Sequence, residues 1–170
     1  MTRDIASSFN NVYGETFVIP EPLIDERVMI IPGTDGEKMS KSYNNYIDIF
    51  LPEKELKKQI LNIVTDSTPL EQPKNPDMCN VFALFQLLAS ASQTEEMKAN
   101  YSKGNYGYGH AKNALLTLIL DSYKTQREAF NQLMNDKQTL NSKLQLGAEK
   151  ARKTARSVLK RVREKLGYGV

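Results

Sequence analysis

The chain contains the stretch Pro32-Gly33-Thr34-Asp35-Gly36-Glu37-Lys38-Met39-Ser40-Lys41-Ser42-Tyr43-Asn44-Asn45. Within it, residues 38–42 place two lysine ammonium groups three residues apart, with small hydroxyl side chains beside them. Gly33 and Gly36 lie just upstream, and glycine adopts backbone conformations closed to other residues, which suits a loop that opens and shuts. An apolar, strand-like run precedes the stretch and a helical pattern follows it. We therefore predict a mobile cationic loop between a strand and a helix, suited to binding a polyphosphate.

The residue types in this loop fit chemistry on a polyphosphate. Attack on such a group moves negative charge onto the departing phosphate or pyrophosphate, and cations aimed at that charge lower the barrier. Lys38 and Lys41 suit the task because each carries a compact charge on a flexible stem. Ser40 and Ser42 can donate hydrogen bonds to phosphate oxygens. The alternative is an ordinary polar surface loop, which Gly-Lys-Ser composition often forms.

Length and composition indicate a globular chain without metal or disulfide chemistry. Its 170 residues fit one domain, or one domain plus a piece of another, and 40% hydrophobic content is enough for a packed core. The single cysteine, Cys79, excludes an internal disulfide and is predicted to be a small buried hydrophobic residue. His110 is the only histidine, so a zinc site is not expected. No apolar run has the length that a membrane span requires.

Positive charge is concentrated at the C-terminus. The net charge is +3, but residues 147–170 carry eight Lys and Arg against two Glu, so the rest of the chain is negative. This asymmetry indicates a polyanionic partner at the C-terminal helix. That helix is predicted to begin after Asp136 or Asn141 and to end at Leu166, with an apolar stripe opposite its lysines. The alternative is a solvated helix face.

The N-terminal third is predicted to combine one helix with extended runs. Residues 2–13 have apolar residues at spacings of four and three, which predicts an amphipathic helix that Gly14 ends. The residues of its inward face are Ile5, Phe9 and Val12. Extended runs are predicted over 17–19 and 27–31, the second continuous and apolar as buried parallel strands tend to be.

The remaining periodicities are helical. A helix is predicted over 52–64, with the apolar stripe Leu56, Ile60, Leu61 and Val64. A proline-rich connector over 65–76 is interpreted as the junction between two bodies. Asp66 in it is interpreted as a helix cap, and the alternative is a hinge between the two bodies. Further helices are predicted over 80–90 and over 110–134. A short helix between them is predicted to begin at a cap formed by Thr94. Tyr106 and Tyr108, between this short helix and the one over 110–134, are interpreted as core residues that anchor a turn rather than as stacking platforms for a base.

These motifs together resemble the bacterial tryptophanyl-tRNA synthetases, which are class I aminoacyl-tRNA synthetases. Residues 38–42 are similar to the KMSKS signature of the class, and the Pro-Gly-Thr-Asp-Gly form of the loop is similar to that of the tryptophan family. The resemblance runs along nearly the whole chain. Its other landmarks are Thr2-Arg3-Asp4-Ile5-Ala6 with Phe9-Asn10 and Tyr13-Gly14-Glu15, Val64-Thr65-Asp66-Ser67, Tyr106-Gly107-Tyr108-Gly109-His110-Ala111-Lys112, and Gly147-Ala148-Glu149-Lys150-Ala151-Arg152.

The resemblance implies a mainly α fold. It consists of a C-terminal α-helical bundle of the anticodon-binding type plus the last strands and KMSKS loop of a Rossmann-like α/β domain. The implied domains are 1–64, the remnant of the catalytic domain, and 65–170, the helical tRNA anticodon-binding domain. The family's HIGH-like motif and its Gly-x-Asp-Gln stretch are not in this sequence. We therefore expect the chain to be about the C-terminal half of the enzyme, truncated in front of Met1 and inactive alone.

The resemblance also implies residue roles. Lys38 and Lys41 are expected to neutralise the pyrophosphate leaving group, and Met39, Ser40 and Ser42 to shape the loop around ATP. Val28 or Met29 is expected to place backbone groups against adenine. Magnesium is expected to arrive with ATP rather than in a protein cage. The expected tRNA contacts are Lys150, Arg152, Lys153 and Arg156.

The implied partners are tRNA(Trp), tryptophan and ATP, in a cytoplasmic enzyme that is a homodimer at full length, although this chain alone is expected to be monomeric. A tyrosyl-tRNA synthetase is the nearest alternative. Bacterial tyrosine enzymes usually vary the second and third letters of the signature and append a further RNA-binding domain. Two non-catalytic alternatives are a helical RNA-binding module and an interaction domain that uses the helix over 80–90, and neither needs the signature loop.

Overall fold

The computed structural model describes residues 1–24 and 30–168, and this part of the chain is mainly helical. Seven α-helices are present in it: α1 (Thr2–Tyr13), α2 (Glu53–Leu61), α3 (Asn80–Gln86), α4 (Ala91–Lys103), α5 (Tyr108–Ser122), α6 (Lys124–Asn135) and α7 (Lys137–Lys165). A short 3-10 turn covers Pro76–Met78. The only β pairing among the described residues is an isolated bridge between Pro32 and Lys38. The predicted mainly α fold is confirmed.

The chain divides into two compact units, Met1–Ile24 with Gln132–Val170, and Asp25–Asn131. This division differs from the domain boundary expected after residue 64, which concerns the complete enzyme and stays a prediction. None of the described helices combines the length and the apolarity that crossing a membrane requires.

In the first unit, α1 matches its predicted bounds, but its packed face differs. Ile5 and Val12 are exposed, whereas Ala6 is buried. The reason is Asn10, whose side-chain amide bonds the backbone of Thr16 and Phe17 and turns the chain back over the helix. Phe17 consequently packs edge-on against Phe9, with ring centroids 5.0 Å apart. The run over 17–19 forms no strand, since Phe17 lies in a bend and Val18 and Ile19 have no regular secondary structure. Most of the predicted run over 27–31 lies outside the described residues.

The same unit contains α7, which is a single helix of 29 residues. Asp136 caps it, since its carboxylate accepts a hydrogen bond from the Thr139 backbone N–H at 3.0 Å. Arg161 donates to the Thr16 carbonyl oxygen at 3.4 Å. No residue of α7 is buried, so its apolar stripe is at most half-covered within the described chain.

The second unit holds one hydrophobic core, built by α2, α3, α4 and α5. Its largest fully buried side chains include Tyr101, Phe82 and Leu56. Cys79 is buried as predicted, with its Sγ 3.3 Å from the Tyr101 hydroxyl. Burial of about ten large apolar side chains here is the main stabilising term, at roughly 1.5–3 kcal/mol for each.

Three predicted helices have different limits in this unit. The apolar stripe of the helix predicted over 52–64 was expected to include Leu61 and Val64. Both are exposed, and Ile63 is buried instead. The helical period no longer applies there, because α2 ends at Leu61. The helix α3 also ends before its predicted limit, at Gln86. The cap of α4 is Ser90 rather than Thr94, and Ser90 and Gln93 form a reciprocal capping box.

The long helix predicted over 110–134 is two helices, with a break at Tyr123, whose φ and ψ are −109° and 15°. The break redirects α6 onto the turn over 49–51. There, Arg127 donates hydrogen bonds to the carbonyl oxygens of Ile49 and Leu51. Phe130 stacks on Phe50 with ring centroids 4.7 Å apart. These contacts link residues nearly eighty positions apart, so helical periodicity does not reveal them.

Candidate functional site

The cationic loop is closed at its base by backbone hydrogen bonds. The Gly33 N–H donates to the Glu37 carbonyl at 2.6 Å, and the Met39 N–H donates to the Ile31 carbonyl at 2.8 Å. Between them the chain reverses at Gly36, whose φ of 89° is a conformation that favours glycine. The result is a tight turn that leads directly into Lys38.

A second set of contacts joins the loop to the rest of its unit. The Thr34 N–H donates to the Asn45 carbonyl at 2.8 Å, and the Thr34 carbonyl accepts from the Val64 N–H at 2.7 Å. Asn80, at the start of α3, donates its side-chain amide to the Val64 carbonyl at 3.1 Å. The loop is therefore tied to the end of α2 and to the start of α3.

Asn45 is the residue that organises the centre of the loop. Its side chain is 3% exposed, and its Oδ1 accepts from the Ser40 N–H at 2.7 Å. Its Nδ2 donates to the Asp35 carboxylate at 2.8 Å and to the Lys38 carbonyl at 3.2 Å. We did not single out Asn45 from the sequence. Its position three residues after Ser42, the last residue of the signature, was a weak signal for it.

The two lysines of the loop point to solvent. Lys38 and Lys41 are exposed, and among the described residues neither takes part in an ion pair. Ser40 is half-buried and its Oγ accepts from the exposed Ser42 N–H at 3.2 Å, which shapes the turn between the lysines. The structure thus brings all five signature residues into one ordered loop with two available cations. Val28 and Met29 lie outside the described residues.

Met39 connects the loop to the hydrophobic core. Its side chain is half-buried and packs against the core cluster. It lines an apolar pocket of about 300 Å³ together with residues of α3, α5 and the segment before α2. The Met39 side chain, which lies between Lys38 and Lys41 in the sequence, is therefore directed into the protein.

The connector over 65–76 is held by a polar cluster. Asp66 is not a helix cap, which corrects the sequence interpretation. Its carboxylate instead accepts from the Thr68 N–H at 2.8 Å and from the Tyr108 hydroxyl at 2.7 Å. Hydrogen bonds from Thr68, and then from Tyr108, lower the pKa of Asp66. Burial, followed by the bond to Asp66, raises the pKa of Tyr108 to about 12.

Lys74 completes this cluster, although it is only 4% exposed. Its ammonium group donates to three connector carbonyl oxygens at 3.0–3.4 Å and lies 5.3 Å from the centre of the Tyr108 ring. Tyr106 and Tyr108 both pack against the buried Tyr101 ring. These contacts support the interpretation that the tyrosine pair anchors a turn in the core.

The candidate RNA-binding cations lie on α7, in the other unit. Lys150, Arg152, Lys153 and Arg156 are all exposed. At a helical rise of 1.5 Å per residue they cover about 9 Å of helix axis, which is enough to follow successive phosphates. The helix presents them without a neutralising ion pair among the described residues, since the α7 pair found there joins Lys160 to Glu164.

The family model for tRNA synthetases class I (W and Y) matches residues 1–124. The chain belongs to this family. Its relatives include the tryptophan–tRNA ligases of Campylobacter jejuni (strain RM1221), 47% identical over 98% of this chain, and of Fusobacterium nucleatum, 48% identical over 98%. The match covers 52% and 51% of those proteins, so the chain spans about half the length of the curated relatives it matches.

Solved structures of class I synthetases give the same result for the fold. The tryptophanyl-tRNA synthetase of Campylobacter jejuni, complexed with ADP and tryptophan, is 47% identical with a TM-score of 0.81. The match covers 97% of this chain and 52% of that one. The tryptophanyl-tRNA synthetase of Mycoplasma pneumoniae shares the fold, with a TM-score of 0.66 at 23% identity. That match covers 98% of this chain and 52% of the other.

These comparisons confirm the family resemblance that the sequence motifs indicated. Among the described residues, no group of three or more His, Cys, Asp and Glu side chains could hold a metal ion.

Proposed function

We propose that this class I synthetase chain is part of a tryptophan–tRNA ligase. The ligase activates tryptophan with ATP, which gives tryptophanyl-adenylate and pyrophosphate, and then transfers the tryptophanyl group to tRNA(Trp) with release of AMP. The observation that carries the proposal is the ordered KMSKS loop with exposed Lys38 and Lys41, in a chain 47% identical to a tryptophan–tRNA ligase. The tryptophan relatives favour this substrate over tyrosine.

The loop has the chemistry for the first step. A carboxylate oxygen of tryptophan attacks the α-phosphorus of ATP, and the bond from that phosphorus to the β-phosphate oxygen breaks. Lys38 and Lys41 neutralise the charge that develops on the pyrophosphate. Ser40, Ser42 and Met39 shape the loop around the nucleotide, and Val28 or Met29 provides backbone groups for adenine. Magnesium enters with ATP as part of the substrate.

The second proposed role is tRNA binding by the helices. Lys150, Arg152, Lys153 and Arg156 are exposed along about two turns of α7, where they can displace counterions from phosphates. Residues 65–170 are proposed to form the anticodon-binding domain and residues 1–64 the end of the catalytic domain. We further propose a cytoplasmic enzyme that is a homodimer at the length of its relatives, with this chain alone monomeric and inactive.

Tryptophan-dependent ATP–pyrophosphate exchange tests the catalytic proposal. The assay uses the protein extended to the length of its relatives. We expect Lys38→Ala and Lys41→Ala each to lower kcat about a hundredfold, as the loss of one preorganised charge contact does. Lys54→Ala, at an exposed lysine of α2, is the matched control and should leave exchange unchanged. Exchange with tyrosine instead of tryptophan would move the assignment to the tyrosine enzyme.

Salt-dependent binding of a tRNA(Trp) transcript tests the second role. Replacing the four α7 cations by alanine should lower the affinity for tRNA. It should also make the dependence of log K on log salt less steep, by roughly one for each lost phosphate contact. Replacing four exposed lysines elsewhere is the control for net charge, and these are Lys54, Lys57, Lys58 and Lys103. Equal losses in both variants would show a non-specific charge effect. RNA binding without amino acid activation would favour the non-catalytic RNA-binding module.

A further inference from the structure

The backbone of the signature loop is held from within by one side chain. Asn45 accepts a hydrogen bond from the Ser40 N–H and donates one to the Lys38 carbonyl, at 2.7 and 3.2 Å. These two groups lie on either side of Met39, so the amide spans the centre of the pentapeptide. Because buried polar groups are costly to leave unpaired, this geometry is strongly preferred over its alternatives.

The orientation of the amide is also defined. Its Nδ2 faces two acceptors, the Asp35 carboxylate and the Lys38 carbonyl, whereas its Oδ1 faces a donor, the Ser40 N–H. A flipped amide would direct Nδ2 at an N–H group and Oδ1 at a carboxylate. Asp35 is itself held by the Glu37 N–H, which its Oδ1 accepts at 3.0 Å.

We infer that Asn45 is a positioning residue that sets the directions of Lys38 and Lys41, and this inference rests on the proposed function of the loop. A lysine side chain is flexible, so its reach is set by where its backbone begins. Asn45 bonds the carbonyl of Lys38 itself and the residue directly before Lys41. Small displacements of groups that act on a transition state lower rates strongly, so loss of this amide should reduce use of ATP.

Gly33 offers a second route to the same perturbation. A Cβ built at this position would lie 2.4 Å from Asn45 Nδ2 and 2.7 Å from the Asn45 carbonyl oxygen. Both distances are far below van der Waals contact. Gly33→Ala should therefore displace the amide without changing its chemistry, and it should reproduce the effect of Asn45→Ala.

The catalytic test is ATP–pyrophosphate exchange in the protein extended to the length of its relatives. We expect Asn45→Ala and Gly33→Ala each to lower kcat/KM for ATP about tenfold or more, with the KM for tryptophan unchanged. Asn44→Gly is the neighbouring control, because Asn44 is exposed and its φ of 54° accepts glycine. A purely structural role would lower the titrated fraction of active sites but leave kcat per active site and both KM values unchanged, and that result would overturn the inference.

A rescue pair examines the amide chemistry itself. Asn45→Asp keeps the acceptor for Ser40 but sets one carboxylate against that of Asp35. Adding Asp35→Asn removes the charge repulsion and can supply a donor toward position 45, but the same Asp35 Oδ1 also accepts from the Glu37 N–H, so recovery is expected to be partial. We expect the double variant to recover part of the activity that Asn45→Asp loses. Equal activity of the single and double variants would show that this contact does not orient the amide.

Trypsin cleavage of this chain gives a readout that needs no catalysis. Loosening of the loop should speed cleavage after Lys38 and Lys41 about tenfold in Asn45→Ala, with cleavage after Lys54 unchanged. Unchanged cleavage in the loop would overturn the inference. Absence of exchange in the unaltered protein would instead refute the proposed function, and trypsin would still decide whether Asn45 holds the loop.

Discussion

Gly104 and Gly109 flank the turn between α4 and α5, and the same substitution at each should have opposite effects. Gly104 has φ 73° and ψ −179°, a region that is essentially restricted to glycine. A Cβ there would lie 2.4 Å from the Glu71 carbonyl oxygen, which is backbone. Gly109 lies in the first turn of α5, and a Cβ there would meet nothing within 4 Å.

The magnitude follows from these geometries. Gly104→Ala should lower the free energy of unfolding by about 3 kcal/mol, from 1–3 kcal/mol of backbone strain plus the displacement of Glu71. Gly109→Ala should raise it by up to about 1 kcal/mol, since alanine has the higher helix propensity. Urea unfolding followed by circular dichroism at 222 nm measures both. A Gly104→Ala variant as stable as the unaltered chain would refute the reasoning that the connector is packed against this turn.

Three further predictions concern the connector and α7. Lys74→Met should cost about 2 kcal/mol in urea unfolding, because three connector carbonyl groups lose a charged donor that is itself buried, whereas Lys103→Met at an exposed site should cost little. In an alkaline absorbance titration at 295 nm, one tyrosine should titrate near pH 12, and this titration should disappear in Tyr108→Phe. Since the folded pKa is raised, its stabilising contribution is fully present below about pH 10 and is lost as the pH rises through about 12. Gly147→Ala, where a Cβ meets nothing within 4 Å, should increase the helical signal and stabilise α7 by about 0.5–1 kcal/mol, and no change in the dichroism would contradict a continuous helix there.

Local patterns in the sequence predicted the helices well. The bounds of α1 were predicted correctly, and α7 begins directly after Asp136, which was one of the two starts proposed for it. Both predictions rest on the 3.6-residue period and on capping chemistry, which act between residues close in sequence. The signature loop was recognisable for the same reason, since its chemistry is contained in five consecutive residues.

The tertiary structure decided which faces are buried and where helices break. Ile63 rather than Leu61 is in the core because α2 ends before the apolar period does. The chain turns at Tyr123 because Arg127 bonds carbonyl groups nearly eighty residues away. Such contacts depend on how elements meet in space, so a one-dimensional pattern contains no signal for them.

The same division applies to the candidate site. The sequence by itself determined which charges the loop carries, since Lys38 and Lys41 need only their identity and spacing to be recognised. Only the tertiary structure showed that Asn45 holds the loop backbone and that Asp66 bonds Tyr108 instead of capping a helix. The physical reason is that a side chain's identity defines its possible hydrogen bonds, whereas folding selects which partners come within reach.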